Sequence, residues 1–459
     1  MSPSEILAVL LVAAVIAALM AGYPVALTLA GVSLAFAVFG HLIGAMDFAI
    51  LGALPQRMFG VMTNEVLLAI PMFIFMGVML ERSRIAEELL ETMGRLFGGL
   101  RGGLAYAVVI VGTLLAAAKG VVGATTVAMG LIVLPAMVRH GYDKRLSAGI
   151  VAATATLAQI FPPATVLILL GDQLANAYQA AQLAQGKFSP DVVTVSDLFA
   201  GALIPGFALV ALYTLFLVAV AIFRPEMMPP MKRTAKSASP AKLAELLVAP
   251  LLLILAVLGS ILGGIATPTE AASIGAVGAT VLAARRTKLG PLLAPVAQKT
   301  AQITAMIFLI LIGATMFSLV FRALGGDVMV ERALSNLPGG SGAAILVVML
   351  AMFLLGFVMD AFEIIFVVVP IVAPVLLKMP GVDPVWLGVL MAVNLQTSYM
   401  HPPLGPTLFF LRAVAPKAIT TRHIYVGIIP FVAIQLFALI VLWFVPGLAT
   451  ALPHALYGR

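Results

Sequence analysis

The chain has 459 residues, of which 62% are hydrophobic and only 10% charged, with a mean hydropathy of +1.15, a balance that excludes a soluble globular domain and makes lipid the solvent. A net charge of +7 would suggest nucleic acid in a soluble protein, but here it is read as cytoplasm-facing loops, so no nucleic acid partner is expected. With no cysteine in the chain, disulfides, thiol chemistry and Cys-ligated metal sites are excluded.

The first apolar run, residues 6–20, follows Glu5 with no basic residue ahead of it, and reads as a retained helix rather than a cleaved signal. From there to the end, stretches long enough for the roughly 20 residues of a bilayer span recur without a soluble segment between them. Residues 1–459 are therefore expected to form a single membrane domain. In 81–97, Ile85, Leu89, Met93 and Leu96 stand at helical spacing between charges, the pattern of an amphipathic helix at the interface. Basic residues gather at 82–101, 139–145, 224–242, 285–288 and 412–422, which the positive-inside bias places in the cytoplasm, leaving 172–197 and 325–340 outside. On this assignment 146–170 crosses outward, 198–223 returns, and 246–262 with 271–284 forms another out-and-back pair.

Between Arg101 and Arg139 lie 37 mostly apolar residues with cytoplasmic charge at both ends, interrupted by Lys119, Gly120, Gly123, Thr125 and Thr126. Two arms of about 15 residues reach about 22 Å, short of the roughly 30 Å hydrocarbon core. The segment, about 102–138, is thus expected to be a re-entrant hairpin. A second hairpin, about 343–378, is broken between Gly356 and Glu363 and starts and ends outside. Each hairpin is followed by a turn (Gly141-Tyr142-Asp143 and Gly381-Val382-Asp383), then by an apolar helix with a double proline 21 residues beyond the glycine, Pro162-Pro163 and Pro402-Pro403. The two broken helices, about 146–170 and 385–411, run in opposite directions. The expected fold is an all-α polytopic membrane protein with an inverted-topology repeat, 1–223 and 246–459. A basic cytoplasmic linker, 224–245, joins the halves, and the arrangement is one that secondary transporters use for alternating access.

Proline lacks an N–H, so Pro162 and Pro163 free the carbonyls of Ala158 and Gln159, and Pro402 and Pro403 free those of Ser398 and Tyr399. Unpaired backbone at membrane depth lines a protein-buried or watery cavity, and all-oxygen shells suit a hard cation such as sodium. Thr154, Thr156, Thr165, Asn394, Gln396, Thr397 and Thr407 add nearby oxygens. The alternative is that the prolines only kink two helices. The tip 120–126 permits close backbone approach, and half-helix N-termini there suit an anion or polar solute; the alternative is a small-residue packing face. It lacks the Gly-Lys pair and following strand of a phosphate loop.

Lys119, Asp360 and Glu363 are charges in apolar stretches, where each is expected to face a cavity or a partner. Lys119 either occupies a cation's place, attracts an anionic substrate, or pairs with a carboxylate. Asp360 and Glu363, three apart on one helical face, either bind a cation or proton or form an interhelical pair. His401 can titrate near neutral pH, although a hydrogen-bonded histidine is the expected role. Metalloprotease, nucleophile-elbow and Cys-rich motifs are missing, so no enzyme is expected.

At these residues the chain resembles the large membrane subunit of tripartite ATP-independent periplasmic (TRAP) transporters over nearly its whole length. The resemblance is carried by Ala69-Ile-Pro-Met-Phe73, residues 120–135 with the turn at Gly141, Phe161-Pro-Pro163, Ala266-Thr-Pro-Thr-Glu-Ala271, Asp360-Ala-Phe-Glu-Ile364, Val393-Asn-Leu-Gln-Thr397 and Pro402-Pro-Leu-Gly405. The run Gly-Val-Val-Gly-Ala-Thr at 120–125, the Asp-x-Phe-Glu-Ile stretch and the polar insert at 172–197 are similar to the mannitol/chloroaromatic-type branch.

The resemblance implies a permease in a bacterial cytoplasmic (inner) membrane, surrounded by lipid. It would work with a small four-helix membrane subunit and a periplasmic solute-binding protein in sodium-coupled import of a small organic acid. It also implies an elevator, in which hairpins and broken helices move together against the other helices. Sodium is then the coupling ion, with no other cofactor, and the ion sites fall at 120–126, 159–165, 356–360 and 396–403. The alternative is a stand-alone carboxylate symporter or antiporter of the same broad fold that needs no binding protein.

Members of the family commonly carry a small or hydroxylated residue where this chain has Lys119, so its ammonium is expected to replace one coordinated sodium. Lys119→Ser should therefore change the sodium dependence and Hill slope of uptake into proteoliposomes. Unchanged values would overturn the replacement.

Overall fold

A computed structural model of the chain describes residues 2–83, 85–97, 99–230 and 240–458. Residues 231–239 of the expected basic linker lie outside that description, as do the side chains at 86, 87, 95, 118, 240–245 and Lys119. Among the described residues all regular structure is helical, and six helices are long and apolar enough to cross a bilayer.

The chain opens with α1 (Pro3–Met20) and α2 (Val25–Leu42). Ser2 and Glu5 form a capping box around Pro3 at the start of α1, satisfying donors that the first turn leaves open. A short 3-10 turn and α3 (Leu54–Met62) lead to α4 (Ala69–Arg82) and α5 (Ile85–Phe97). Helix α5 is the expected amphipathic element: Ile85, Leu89 and Met93 are buried, whereas Leu96 is exposed. The first hairpin is α6 (Gly103–Lys119) and α7 (Val122–Arg139), and the first broken helix is α8 (Lys144–Thr156) and α9 (Thr165–Ala184). Because α9 continues to Ala184, past the expected end of the broken helix near 170, half of the polar insert at 172–197 is helix.

Next come α10 (Val195–Phe223), α11 (Pro240–Leu262), α12 (Pro268–Ala284), α13 (Leu289–Ala323) and the connector α14 (Gly326–Ser335). The second hairpin has α15 (Gly340–Leu355) as one arm, while its other arm is split into α16 (Ala361–Val367) and α17 (Val369–Leu376). The split precedes Pro370, which cannot donate into a continuous helix. The second broken helix is α18 (Pro384–Met400) and α19 (Pro406–Val414), followed by α20 (Thr421–Phe444) and α21 (Gly447–Tyr457). Helix α21 was not expected, and it packs on α10 and α18.

These elements sort into two packing groups. In one, α13 lies along α2 and α4, and α12 lies against α4 and α11. In the other, α6–α10 and α15–α20 gather around α8 and α18. The connectors α5 and α14 sit between them, α5 touching α6 and α11, and α14 touching α1, α13 and α17. Each group is pinned where a glycine brings two backbones together. A Cβ on Gly149 of α8 would lie 2.1 Å from the Gly427 carbonyl oxygen of α20, and one on Gly313 of α13 would lie 2.5 Å from the Ala26 carbonyl oxygen of α2. Such crossings are how helices associate in lipid, where no hydrophobic force drives them together.

A backbone carbonyl cannot rotate aside as a side chain can, so Gly149→Ala is expected to destabilise the protein by about 1–3 kcal/mol. The measurement is thermal unfolding in detergent. Gly31→Ala, where the added methyl meets open space, should leave the midpoint unchanged or raise it.

Candidate functional site

Two helix breaks form the centre of the second packing group. After Thr156, α8 tightens into a 3-10 turn over Leu157–Gln159 and stops at Pro162-Pro163, whose rings and missing N–H groups prevent continuation. The chain restarts as α9 at Thr165. In the same way α18 ends at Met400, His401 is extended, and α19 restarts at Pro406. Both Pro-Pro peptide bonds are cis.

The hairpin tips meet these breaks. Gly120 closes α6 at φ +60°, a left-handed geometry that glycine adopts without strain. A Cβ there would stand 2.9 Å from Thr165 Oγ1, 3.0 Å from the Thr165 amide nitrogen and 3.4 Å from the Pro163 carbonyl oxygen. One on Gly123 would meet the Phe410 ring of α19 at 3.1 Å, and one on Gly356 would lie 2.3 Å from Ser398 Oγ of α18. Helix α18 also packs on α8 and α9, so the four expected segments share one centre. The first break, with Pro162 and Pro163, is wholly buried, whereas the second reaches the surface at Pro403 and Leu404.

Thr125, Thr126, Gln159, Thr165, Asn394, Gln396, Thr397, Ser398 and Thr407 are all buried. Several are already engaged. Thr125 and Thr126 donate to the carbonyls of Val121 and Val122 at 2.9 Å each, Thr397 to that of Val393 at 2.7 Å, and Ser398 to that of Leu395 at 2.9 Å. Asn394 Nδ2 donates to the Met349 carbonyl at 2.8 Å and ties α18 to α15. Among the described residues, Gln159 Oε1, Thr165 Oγ1, both amide atoms of Gln396 and Thr407 Oγ1 are buried without a hydrogen-bond partner. They fall in two sets, Gln159 with Thr165 around the first Pro-Pro pair and Gln396 with Thr407 around the second. A buried polar group left this way costs about 1–3 kcal/mol, so both sets are poised for a polar ligand or a desolvated cation.

Three expectations change. Among the described residues, Asp360 and Glu363 form no interhelical ion pair. Resuming the helix at Ala361 creates fresh unsatisfied N–H groups: Asp360 Oδ1 accepts from the Phe362 N–H at 3.0 Å, and Glu363 Oε2 accepts from the Asp360 N–H at 2.8 Å, a capping box. The other Asp360 oxygen accepts from the Tyr399 hydroxyl, joining the hairpin tip to α18. The Ser398 carbonyl, expected to be free, accepts from the His401 N–H at 3.2 Å, because the last turn of α18 tightens. The His401 ring packs against Phe353 and Phe357, at 5.0 and 5.4 Å between centroids, in a cluster where the two phenylalanines also touch, and its Nδ1 has no partner among the described residues. Packing against the rings replaces the expected hydrogen bond. The Lys119 side chain is outside the described residues.

Tyr213 and Gln435 escaped the sequence reading. Gln435 Nε2 of α20 donates to Tyr213 Oη of α10 at 2.7 Å and to Thr156 Oγ1 of α8 at 3.4 Å, while Gln396 lies beside the same tyrosine. The signal was the lone glutamine inside the apolar segment 424–444. Tyr425 also donates to the Pro403 carbonyl at 2.9 Å, fastening α20 to the second break.

Residues 12–448 match the family described as "Tripartite ATP-independent periplasmic transporter, DctM component". Two relatives, each named a C4-dicarboxylate TRAP transporter large permease protein DctM, are similar over most of their length. The Vibrio cholerae protein is 29% identical over 97% of both chains, and the Pseudomonas aeruginosa protein is 30% identical over 88% of this chain and 89% of its own. The solved YdaH transporter of Alcanivorax borkumensis shares the fold, with a TM-score of 0.60 at 14% identity over 87% of both chains.

Thr165→Val and Thr407→Val each replace an unpartnered hydroxyl by a methyl of the same shape. In sodium-free detergent both are expected to hold the unfolding midpoint or to raise stability by about 1 kcal/mol. A clear loss of stability would mean that the hydroxyls have internal partners.

Proposed function

The chain belongs to the DctM component family of tripartite ATP-independent periplasmic transporters, and from that premise we propose that it imports a small organic acid by a sodium-coupled elevator movement. Like its relatives it is a permease of the inner membrane rather than an enzyme. The observation that carries the proposal is the pair of buried, unpartnered polar sets at two helix breaks, each approached by a hairpin tip.

Sodium would be held by oxygen. Gln159 Oε1 and Thr165 Oγ1, with the carbonyls of Ala158 and Gln159, serve the first break; Gln396, Thr407 and the Tyr399 carbonyl serve the second, with the already engaged Ser398 carbonyl as a further acceptor. Oxygen sets of this kind suit a hard cation. An acid is supported by the helix starts that converge here. Helices α7, α9 and α19 begin without a side-chain cap, so their first N–H groups, with the positive end of each helix dipole, are available to a carboxylate. Helix α16 is not, because Asp360 and Glu363 occupy its start.

The elevator reading is supported by the two packing groups. Both hairpins and both broken helices belong to one group, and the connectors α5 and α14 link it to α1, α2, α4 and α11–α13. A small four-helix membrane subunit would buttress the latter group, and a periplasmic binding protein would deliver the solute. The C4-dicarboxylates named for the Vibrio and Pseudomonas relatives support a small carboxylate as cargo.

The test is uptake of a labelled organic-acid panel into proteoliposomes holding this chain and its small subunit, with and without binding protein and an inward sodium gradient. Uptake is expected to need both. Thr165→Val or Thr407→Val should raise the sodium concentration for half-maximal uptake by about tenfold, the scale of one lost ligand contact. Sodium-driven uptake without the binding protein would overturn the tripartite part, and uptake indifferent to sodium would overturn the coupling.

A further inference from the structure

A cavity of about 550 Å³ lies away from the helix breaks, where the two packing groups meet. Arg57 of α3 and Arg322 near the end of α13 line one side, Asp172, Gln173 and Asn176 of α9 line the other, and Asn64 stands ahead of α4. Both arginines are exposed at the cavity, close enough for their like charges to repel. Among the described residues neither forms an ion pair. Arg322 donates to the Pro370 carbonyl at 3.0 Å, a neutral acceptor that leaves its charge uncompensated. The cavity's carboxylate, Asp172, is buried and already accepts from Asn64 Nδ2 at 2.8 Å and Gln173 Nε2 at 3.0 Å. Two guanidinium groups against one carboxylate leave the cavity with a net charge of +1.

Like charges facing one cavity are relieved by an anion between them, and a guanidinium presents a planar fork that matches a carboxylate. We propose that this cavity is a receiving site for a small carboxylate, separate from the helix breaks, in which Arg57 and Arg322 hold the acid groups of the incoming solute. The proposal rests on the organic-acid reading above and adds a place where the solute waits. It lies on the seam: the Asn64–Asp172 hydrogen bond crosses it from the segment before α4 to α9, and the Arg322–Pro370 bond crosses it from α13 to α17. Movement of one group against the other would pull these walls apart, so the cavity takes or releases its anion as the seam shifts.

The chain has no cysteine, so Ala180→Cys places a single thiol on the exposed cavity wall. The rate of its maleimide labelling is measured in the reconstituted complex with acetate, succinate or citrate, and with neutral succinamide as control. At least one carboxylate is expected to slow labelling, and succinamide is not. Arg57→Gln, which removes a side chain without an ion-pair partner, should weaken that protection by about tenfold or more, while Arg57→Lys should retain part of it. Labelling slowed by none of the carboxylates, or slowed equally with Arg57→Gln, overturns the receiving site. Uptake measured in the same vesicles separates the two claims. Sodium-driven uptake without protection removes the cavity's role and leaves the import reading standing, whereas carboxylate-specific protection without uptake supports the cavity and counts against import.

Discussion

In hydrocarbon, a backbone N–H or C=O without a partner costs several kcal/mol, so irregular backbone survives at membrane depth only where other protein or a polar cavity surrounds it. This chain interrupts its apolar helices at 120–121, 160–164, 356–360 and 401–405, and the rest of the architecture follows from having to bury those interruptions. Proline makes two of them unavoidable. Glycine lets the other two approach: Gly120 and Gly356 leave room where any side chain would strike Thr165 or Ser398. The interruptions thus shield one another, and helices α10 and α20 close around them with the Gln435–Tyr213–Thr156 hydrogen bonds and the contact from Tyr425 to Pro403.

Much of this was legible because it is written in residues that act through the backbone. Short arms between charged ends, the glycines at 120 and 356 and the two Pro-Pro pairs marked where the helices are interrupted, although the first broken helix runs on to Ala184, well past the expected end near 170. What the sequence did not display was which polar groups the fold itself would consume. Asp360 and Glu363 read as an ion or proton site because two carboxylates in an apolar run demand an explanation. The structure gives both a local role as well, since a helix restarted after a break needs a capping box, and Asp-x-x-Glu supplies one. The spacing that suggested a shared face also describes a cap. Tyr213 and Gln435 were overlooked for the opposite reason, as their partnership crosses 222 positions and leaves no trace in local pattern. The length of α9 was misjudged because polar residues such as Asp172 marked the end of the apolar run near 170, although Asn64 and Gln173 satisfy that carboxylate within the protein.

The polar groups at the centre therefore divide by what the fold asks of them. Asn394 and Asp360 tie hairpin arms to α18, whereas Ser398 and Glu363 bond within their own helices, and all four are largely satisfied by protein. Among the described residues, Gln159 Oε1, Thr165 Oγ1, both amide atoms of Gln396 and Thr407 Oγ1 are buried but unsatisfied, and these residues occur as a pair at each break. Stability alone would favour apolar residues of the same volume at those four positions. Their presence is the stability–function compromise expected where a protein must bind a polar cargo and release it again, which is why the proposed ion sites are assigned to these residues rather than to the more conspicuous carboxylates.

The contacts within and between the packing groups differ in kind. Within each group, helices touch at glycine crossings with backbone against backbone, as at Gly149 with Gly427 and Gly313 with Ala26, and such contacts allow almost no sliding. Along part of the seam, by contrast, the walls are polar side chains lining a cavity, joined by single hydrogen bonds such as Asn64 to Asp172 and Arg322 to Pro370. A single hydrogen bond contributes only about 0.5–1.5 kcal/mol net, or somewhat more where one partner is charged, and solvent or an anion can replace it. A body that is tight inside and loosely latched at its boundary is what the proposed elevator movement requires. Two arginines without an ion pair among the described residues line that seam, three helix starts at the centre lack a side-chain cap, and both features suit the small anion proposed as cargo.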